Sequence, residues 1–496
     1  MKPRLNDNAE KTILVDVNPY RTRVMLLEDG VPVEFYIERR DKERLVGNIY
    51  KGKVQNVLPG MYAAFININA EKNAFLYAGD IKPDSLLNDE VQIEGKFTPS
   101  MICDVVRSGQ DILVQIVKEP IGTKGARATT QISLPGRNVV FLPTVDFIGI
   151  SKRISKDEER KRLKAIVSEV LPEGTGVIVR TAAEGLDEES IRADLVTLVE
   201  EWERIKARYR ASKAPALIHK DDALIIRTVR DLFTGNVGKM IVNEREHFEL
   251  LRSLVPADKR DKVEFYDDEK DLFVRYGAEK ALDEALSRRV WLKSGAYIVI
   301  DRTEALTSID VNTGKYVGSV SLGRTIVETN KEAAFEIARQ LRLRDIGGIV
   351  IIDFIDMESE EDRRAVIDTL TEALRCDSTK TVVLGMTALG LVEVTRKKLS
   401  ASISATLQRE CPYCKGTGLV PSSQTTALNI RRDVLERMAF DKDVQGYVIT
   451  AVPSVAELLE KYIDEEKKNT PALDGISITI KGDAALGAGE YHIKNI

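Results

Sequence analysis

Two aspartates close hydrophobic runs in the second half of the chain. Asp310 sits in Ser308-Ile309-Asp310-Val311-Asn312 and Asp353 in Ile351-Ile352-Asp353-Phe354. An ionised carboxylate is costly to bury without a partner, so each is expected to meet a cation. Asn312 lies two residues from Asp310 and shares its strand face. Two carboxylates on adjacent strands with an amide beside them suit a hard divalent ion. Mg²⁺ takes oxygen ligands and keeps waters while it holds phosphate. Such an ion would polarise a phosphodiester and activate water. Three histidines in 496 residues leave little room for an imidazole pair. The competing reading is structural ion pairing, with Arg339, Arg342 and Arg344 as partners. Asp301 and Asp356 are further acids nearby. Asp356, three residues beyond Asp353, is expected on the opposite strand face and ranks below the pair.

The run Cys411-Pro412-Tyr413-Cys414-Lys415-Gly416-Thr417-Gly418 has the form of a zinc knuckle. The turn and the following glycine let backbone amides approach the sulfurs. Structural zinc needs four ligands, and the knuckle offers two. Three readings stand: a redox pair, an internal site completed by Cys103 and Cys376, or one zinc shared between two chains about a two-fold axis. The missing half favours the third, which implies a dimer.

Other residues suit anions and bases. Arg180-Thr181 follows the apolar run Gly176 to Val179, and a guanidinium with a hydroxyl can hold a terminal phosphate. Phe65 and Phe75, on neighbouring short strands, would stack bases beside Lys118 and Lys124, or would fill a core instead. From Ile112 to Arg137 four cations face one acid, and from Arg396 to Arg409 four face none. With the helix carrying Arg339 to Arg344, these are the expected positive regions.

These residues need elements to position them. Thr12 to Asn18, Arg23 to Leu27 and Val31 to Ile37 read as a meander with a hairpin at Asp29-Gly30. Val46 to about Lys124 reads as short glycine-punctuated strands, which fit a small barrel such as an OB-fold. Helices are expected over Lys156 to Val170 and Glu188 to Lys206, around a strand at Gly176. A further α/β stretch runs from Ala223 to Arg288. Strands Ala296 to Asp301, Leu306 to Asn312, Ile349 to Phe354 and Thr381 to Met386 surround a helix from Glu328 to Arg344. Leu391 to Arg409 reads as a polar, basic stretch. A serine-rich linker and an α/β piece follow Gly418.

Length suits about three domains at roughly 150 residues each. A net charge of −5 and a pI of about 5.7 argue against a generally basic nucleic-acid binder, leaving only local basic surfaces. No apolar run approaches the roughly 18 residues of a membrane span, and the N-terminus lacks an apolar signal core. A cytoplasmic protein is expected.

Together the motifs resemble the RNase E/G endoribonucleases of bacteria over nearly the whole chain. The matching segments are Val46-Gly47-Asn48-Ile49-Tyr50-Lys51-Gly52, Glu304 to Asn312, Ala338-Arg339-Gln340-Leu341-Arg342-Leu343-Arg344-Asp345, Ile352 to Met357 and the knuckle. The absence of a long Arg/Pro-rich tail and the run Leu58-Pro59-Gly60-Met61 look like the G branch. The resemblance implies a multidomain α/β and β fold. An RNase H-like subdomain (1–45 and 222–288) is interrupted by an S1-type OB-fold RNA-binding barrel (46–128) and a 5′-sensor (129–221). A DNase I-like catalytic subdomain (289–403), a zinc link (404–419) and a small C-terminal α+β domain (420–496) follow. It implies Mg²⁺ on Asp310 and Asp353, with Asn312 supporting the scissile phosphate. It implies a 5′-phosphate pocket at Arg180, Thr181 and Val140, and RNA gripped by Phe65, Phe75 and Lys124. It implies structural Zn²⁺ on Cys411 and Cys414, shared between two chains of a homodimer or tetramer. The expected reaction is cleavage of single-stranded A/U-rich RNA to 5′-phosphate and 3′-hydroxyl ends, stimulated by a 5′-monophosphate, in rRNA processing and mRNA turnover. The chain departs from the family at Asn67, where aspartate is expected, and at Lys380, where arginine is expected; lysine cannot make a bidentate contact. A non-catalytic RNA-binding protein is the rival of a different class.

Overall fold

The computed structural model describes residues 9–41, 43–81, 102, 106–120, 124–233, 236–314, 322–398, 401–440, 444–469 and 475–496. Cys103 and the Gly122-Thr123 part of the glycine loop lie outside these residues. The chain divides into two compact units, Met1–Thr406 and Leu407–Ile496.

The first unit opens with an antiparallel meander of Lys11–Val17, Arg21–Glu28 and Val31–Arg39. Asp29 and Gly30 turn the second hairpin with φ of 48° and 76°, the positive values a tight two-residue turn requires. On its other side Lys11–Val17 pairs in parallel with Val237–Val242, which pairs in parallel with Val263–Phe265. Lys11–Val17 is the central strand. Ile13, Leu14, Val15 and Val17 are all buried, as a strand covered on both faces needs. The sheet thus joins two distant segments, and everything between them is inserted.

The insertion begins with a closed five-strand barrel, consistent with an OB-fold. Ile49–Leu58, Ala63–Asn67, Ala74–Tyr77, Arg127–Thr129 and Asp111–Lys118 pair in that order, and the last closes on the first. Gly52 permits the closure, since a Cβ there would stand 2.3 Å from Ile66 Cγ2. Ala216–His219 pairs with the outer edge of the first barrel strand. A four-strand sheet follows in the order Ile148–Ile150, Gly176–Val179, Val139–Leu142, Leu134–Pro135. Helices Asp157–Val170 and Glu188–Ala211 pack on it through Leu163, Ile166, Ile191 and Leu195.

The last sheet of this unit has six strands. Their order is Arg289–Trp291, Tyr297–Arg302, Leu306–Asn312, Gly348–Asp353, Leu391–Arg396, Thr381–Met386. Leu391–Arg396 corrects the expected polar stretch. Val392 and Val394 alternate inward and are fully buried, while Glu393 and Thr395 face out. Helices Leu322–Leu343 and Glu360–Leu374 cover one face through Ala334, Ile337, Leu341, Val366 and Leu370. The Ile349, Ile351 and Val382 face is left more open, with Ile349 51% exposed.

In the second unit the knuckle precedes a three-strand sheet. Gly446–Ala451 is central, parallel to Ser477–Gly482 and antiparallel to Tyr491–Asn495. Helices Ser423–Phe440 and Pro453–Asn469 pack on it through Ile430, Val434, Val455 and Leu459. Ser423–Phe440 begins inside the expected linker.

Candidate active site

Strands Leu306–Asn312 and Gly348–Asp353 run parallel with Asp310 directly beside Asp353. Ile309, Val311 and Ile352 point into the core and are buried. Alternation then carries Asp310, Asn312 and Asp353 to the open face, where both aspartates are exposed. The expectation of buried carboxylates is corrected here, because helices cover these strands on one face only. Asn312 Nδ2 donates to Asp310 Oδ2 at 2.7 Å and orients that carboxylate. Partial burial, then the negative charges of Asp310 and Asp356, push the Asp353 carboxyl above the usual carboxylate range. Asp356 lies beyond the end of its strand. The alternation argument that set it on the far face therefore does not apply to it, and its charge acts on the same carboxyl as Asp310.

The three arginines proposed as partners are engaged elsewhere. Arg342 reaches Glu28 and Glu34 of the N-terminal meander, both at 2.8 Å. Arg339 binds Glu336 and the Pro32 carbonyl. Arg344 donates to Gln340 and to the Glu284 carbonyl. No arginine or lysine among the described residues pairs with Asp310 or Asp353. The expected positive helix is therefore a clamp onto the meander, with its charge spent. Arg396 is likewise buried against Asp377 at 2.7 Å and Asp345 at 2.8 Å, so the basic run before the knuckle is weaker than its count. Two repelling carboxylates with no cation form a donor set that fits Mg²⁺. Among the described residues no group of three His, Cys, Asp or Glu could hold a metal. Mg²⁺ needs no such cage, since one or two carboxylates with water and phosphate suffice.

On the barrel, Ala64, Ile66, Ala74 and Leu76 fill the core, so Phe65 and Phe75 face outward and are partly exposed. The core-filling alternative is ruled out for both. Phe65 is in register with Phe75, Phe75 with Arg127, and Arg127 with Lys118. One row of aromatic and basic side chains thus crosses four strands. The two rings meet edge-on at 5.8 Å. Lys118 and Lys124 are exposed. Arg127, one of the four cations counted between Ile112 and Arg137 but not singled out there, is held by Asp80 through bonds of 2.7 and 2.9 Å. Tyr77, two residues from Phe75 and 41% exposed, shares this face. Period-two counting from Phe75 would have found it. Asn67 accepts the Asn69 backbone N–H at 2.9 Å, a turn contact an aspartate would also make. Lys380 offers its backbone carbonyl to Lys397 N at 3.0 Å, a contact independent of side-chain type.

Arg180 and Thr181 stand at one end of the four-strand sheet. Arg180 donates to the Gly136 carbonyl and to Asp231, each at 2.8 Å. Burial alone would raise the Asp231 carboxyl, but Arg230 and then Arg180 hold it below its usual value. One Arg180 nitrogen is therefore committed, which fixes the direction of the remaining ones. The Thr181 hydroxyl meets the Ser151 hydroxyl at 2.9 Å. Val140 sits in register with Ile178 and packs beside Leu142 and Val145, one residue pair inside the sheet end. The Asp194 carboxylate accepts the backbone N–H groups of Asn138 and Val139 at 2.7 and 3.2 Å. It locks the turn that carries the Gly136 carbonyl, a role invisible to motif reading.

In the knuckle, backbone N–H groups of Cys414 and Tyr413, then the Cys414 side chain, hold the Cys411 thiol below its usual range. Lys415 N donates to the Cys411 carbonyl and Thr417 N to the Cys414 carbonyl, both at 2.9 Å. Lys415, Gly416 and Gly418 take positive φ to make this turn. Two thiols on one tight turn could act as thiolate ligands, two of the four a tetrahedral structural zinc needs.

A model of the ribonuclease E/G family matches residues 133–399, a span that holds Asp310, Asn312, Asp353, Arg180 and Thr181. Ribonuclease G of Salmonella typhimurium is 43% identical over 90% of this chain and 92% of its own length. Ribonuclease G of Haemophilus influenzae is 43% identical over 92% of each. Ribonuclease E of Escherichia coli is 36% identical over 96% of this chain but only 45% of its own length. With nearly all of the chain and the full acidic strand pair inside these matches, the chain belongs to the ribonuclease E/G family.

Proposed function

We propose that this chain is a Mg²⁺-dependent endoribonuclease that cuts single-stranded, A/U-rich RNA. The carrying observation is the in-register pair Asp310 and Asp353, exposed and without a cationic partner, in a chain of this family. These two carboxylates would hold the ion, and Asn312 keeps Asp310 oriented through the 2.7 Å bond. Bound there, Mg²⁺ supplies charge neutralisation on the phosphodiester. Water adds to phosphorus and the bond to the 3′ oxygen breaks, which leaves 5′-phosphate and 3′-hydroxyl ends. Residues 289–403 act as the DNase I-like catalytic subdomain in this reading, on an RNase H-like subdomain of 1–45 and 222–288.

The barrel at 46–128 grips RNA through Phe65, Phe75, Lys118 and Lys124. The segment 129–221 senses a 5′-monophosphate through Arg180, Thr181 and Val140, and that contact stimulates cleavage. The 404–419 link and Cys411 with Cys414 hold half of a Zn²⁺ shared by two chains, giving a homodimer or a tetramer. The protein works in the cytoplasm, on rRNA precursors and mRNA; among the described residues no helix is long and apolar enough to cross a membrane.

A cleavage assay with Mg²⁺ on one oligonucleotide bearing either a 5′-monophosphate or a 5′-hydroxyl tests the reading. The monophosphate form should be cut faster, and Thr181→Val should lose about tenfold of that advantage, the value of a charge-assisted hydrogen bond. Equal rates for both ends would remove the sensor. RNA left intact would favour a non-catalytic RNA-binding protein. The zinc reading predicts one zinc per two chains, and one per chain would refute the bridge.

A further inference from the structure

We propose that Trp291 and Tyr297, with Arg289, form a nucleobase-stacking platform for the RNA strand cut at Asp310 and Asp353. The proposal rests on the ribonuclease reading and names a contact for its substrate. The register sets the arrangement. Trp291 pairs with Tyr297, and Tyr297 with Asn312. In the next row Arg289 pairs with Val299, and Val299 with Asp310. All of these alternate onto the face that carries the aspartates, while Val290, Leu292 and Ile298 point into the core and are buried. From strand spacings, the Trp291 Cα is about 12 Å from that of Asp310. That is the separation of near-neighbour nucleotides in an extended strand.

The side chains are not explained by packing. Trp291 is 58% exposed on an edge strand of only three residues. Leaving so much apolar area in water contributes nothing to the core. The two rings meet edge-on at 5.1 Å and 61°, which holds them as one rigid unit. The Arg289 guanidinium lies 4.6 Å from the Tyr297 ring centre and 5.8 Å from that of Trp291. Arg289 is exposed and makes no ion pair with a described carboxylate, so its charge is free for a phosphodiester. Exposed aromatics beside an uncommitted cation are how single-stranded nucleic acid is held, with little dependence on base identity. Continuity with the acidic row selects an RNA base over a second copy of this chain as the occupant.

The protein has two tryptophans, and Trp202 packs against the core of the four-strand sheet. An Asp310→Asn chain titrated with a short, 5′-monophosphorylated, single-stranded oligoribonucleotide should show quenched tryptophan fluorescence. Adding Trp291→Phe should remove that quench. In the otherwise wild-type enzyme, Trp291→Ala should raise KM about 5- to 150-fold with kcat largely kept, the range expected for one base stack. Oligonucleotides with one abasic nucleotide stepped past the cleavage bond locate the contact. At one step the wild type should suffer the same loss, and Trp291→Ala should suffer no more. A quench that survives Trp291→Phe, or a Trp291→Ala enzyme with wild-type KM, overturns the platform. So does a lower oligomer mass for Trp291→Ala with unchanged KM, which would make this face a contact between copies. If Asp310→Asn cleaves like the wild type, the ribonuclease assignment fails, and the quench still decides the platform separately.

Discussion

Two pairs of carboxylates stand side by side in the first unit, and they are treated in opposite ways. Glu28 and Glu34 share the guanidinium of Arg342, and all three side chains are nearly sealed from solvent. Burial disfavours the charged Arg342 guanidinium, yet Glu28 and Glu34 hold it above its usual range. Asp310 accepts the Asn312 amide N–H, and Asp353 meets only the negative charges of Asp310 and Asp356. The first pair is a joint that fastens the helix Leu322–Leu343 to the meander. The second pair lies exposed in register with no arginine or lysine among the described residues on it, which is what the proposed Mg²⁺ site requires.

Mutations that exchange these roles test the contrast. Arg342→Met should cost the most in stability, about 3–5 kcal/mol, because it strands two buried carboxylates. A lower urea midpoint would show it, and adding Glu28→Gln and Glu34→Gln should restore much of the loss. A midpoint that does not move would mean the triad is no joint. Asp353→Asn should act in the opposite direction and more weakly. Its folded carboxyl lies above the unfolded value, so its stabilising contribution is complete at low pH and is lost as pH rises through the raised value. At neutral pH the charge is a burden, and the amide should raise Tm slightly. The gain should vanish in acid, where both forms are neutral. A lower Tm at neutral pH would contradict the reading of the pair.

The acidic pair was legible because strands have period two. Asp310 and Asn312 share a face by spacing alone, and two apolar runs each ending in aspartate can meet in register. Its exposure was not legible, since an apolar run does not say whether one face or both are covered. Nor does a count of arginines say where their charge goes. Arg342 and Arg396 look like surface charge in a helix and in a basic run, yet both are buried in ion pairs formed across long stretches of chain. Leu391–Arg396 was hidden for the same reason, with Glu393, Thr395 and Arg396 masking its two inward valines. Phe65 and Phe75 illustrate the reverse case, where small alanines at 64 and 74 take the core. Trp291 lies in a strand too short to show any period.

The central claim is that the unneutralised pair performs the chemistry. The direct measurement compares wild type and Asp310→Asn on a 5′-monophosphorylated, single-stranded A/U-rich oligonucleotide with Mg²⁺, with RNA affinity measured alongside. Cleavage should fall at least about a hundredfold while affinity changes little. Full Mg²⁺-dependent cleavage by Asp310→Asn would contradict the account.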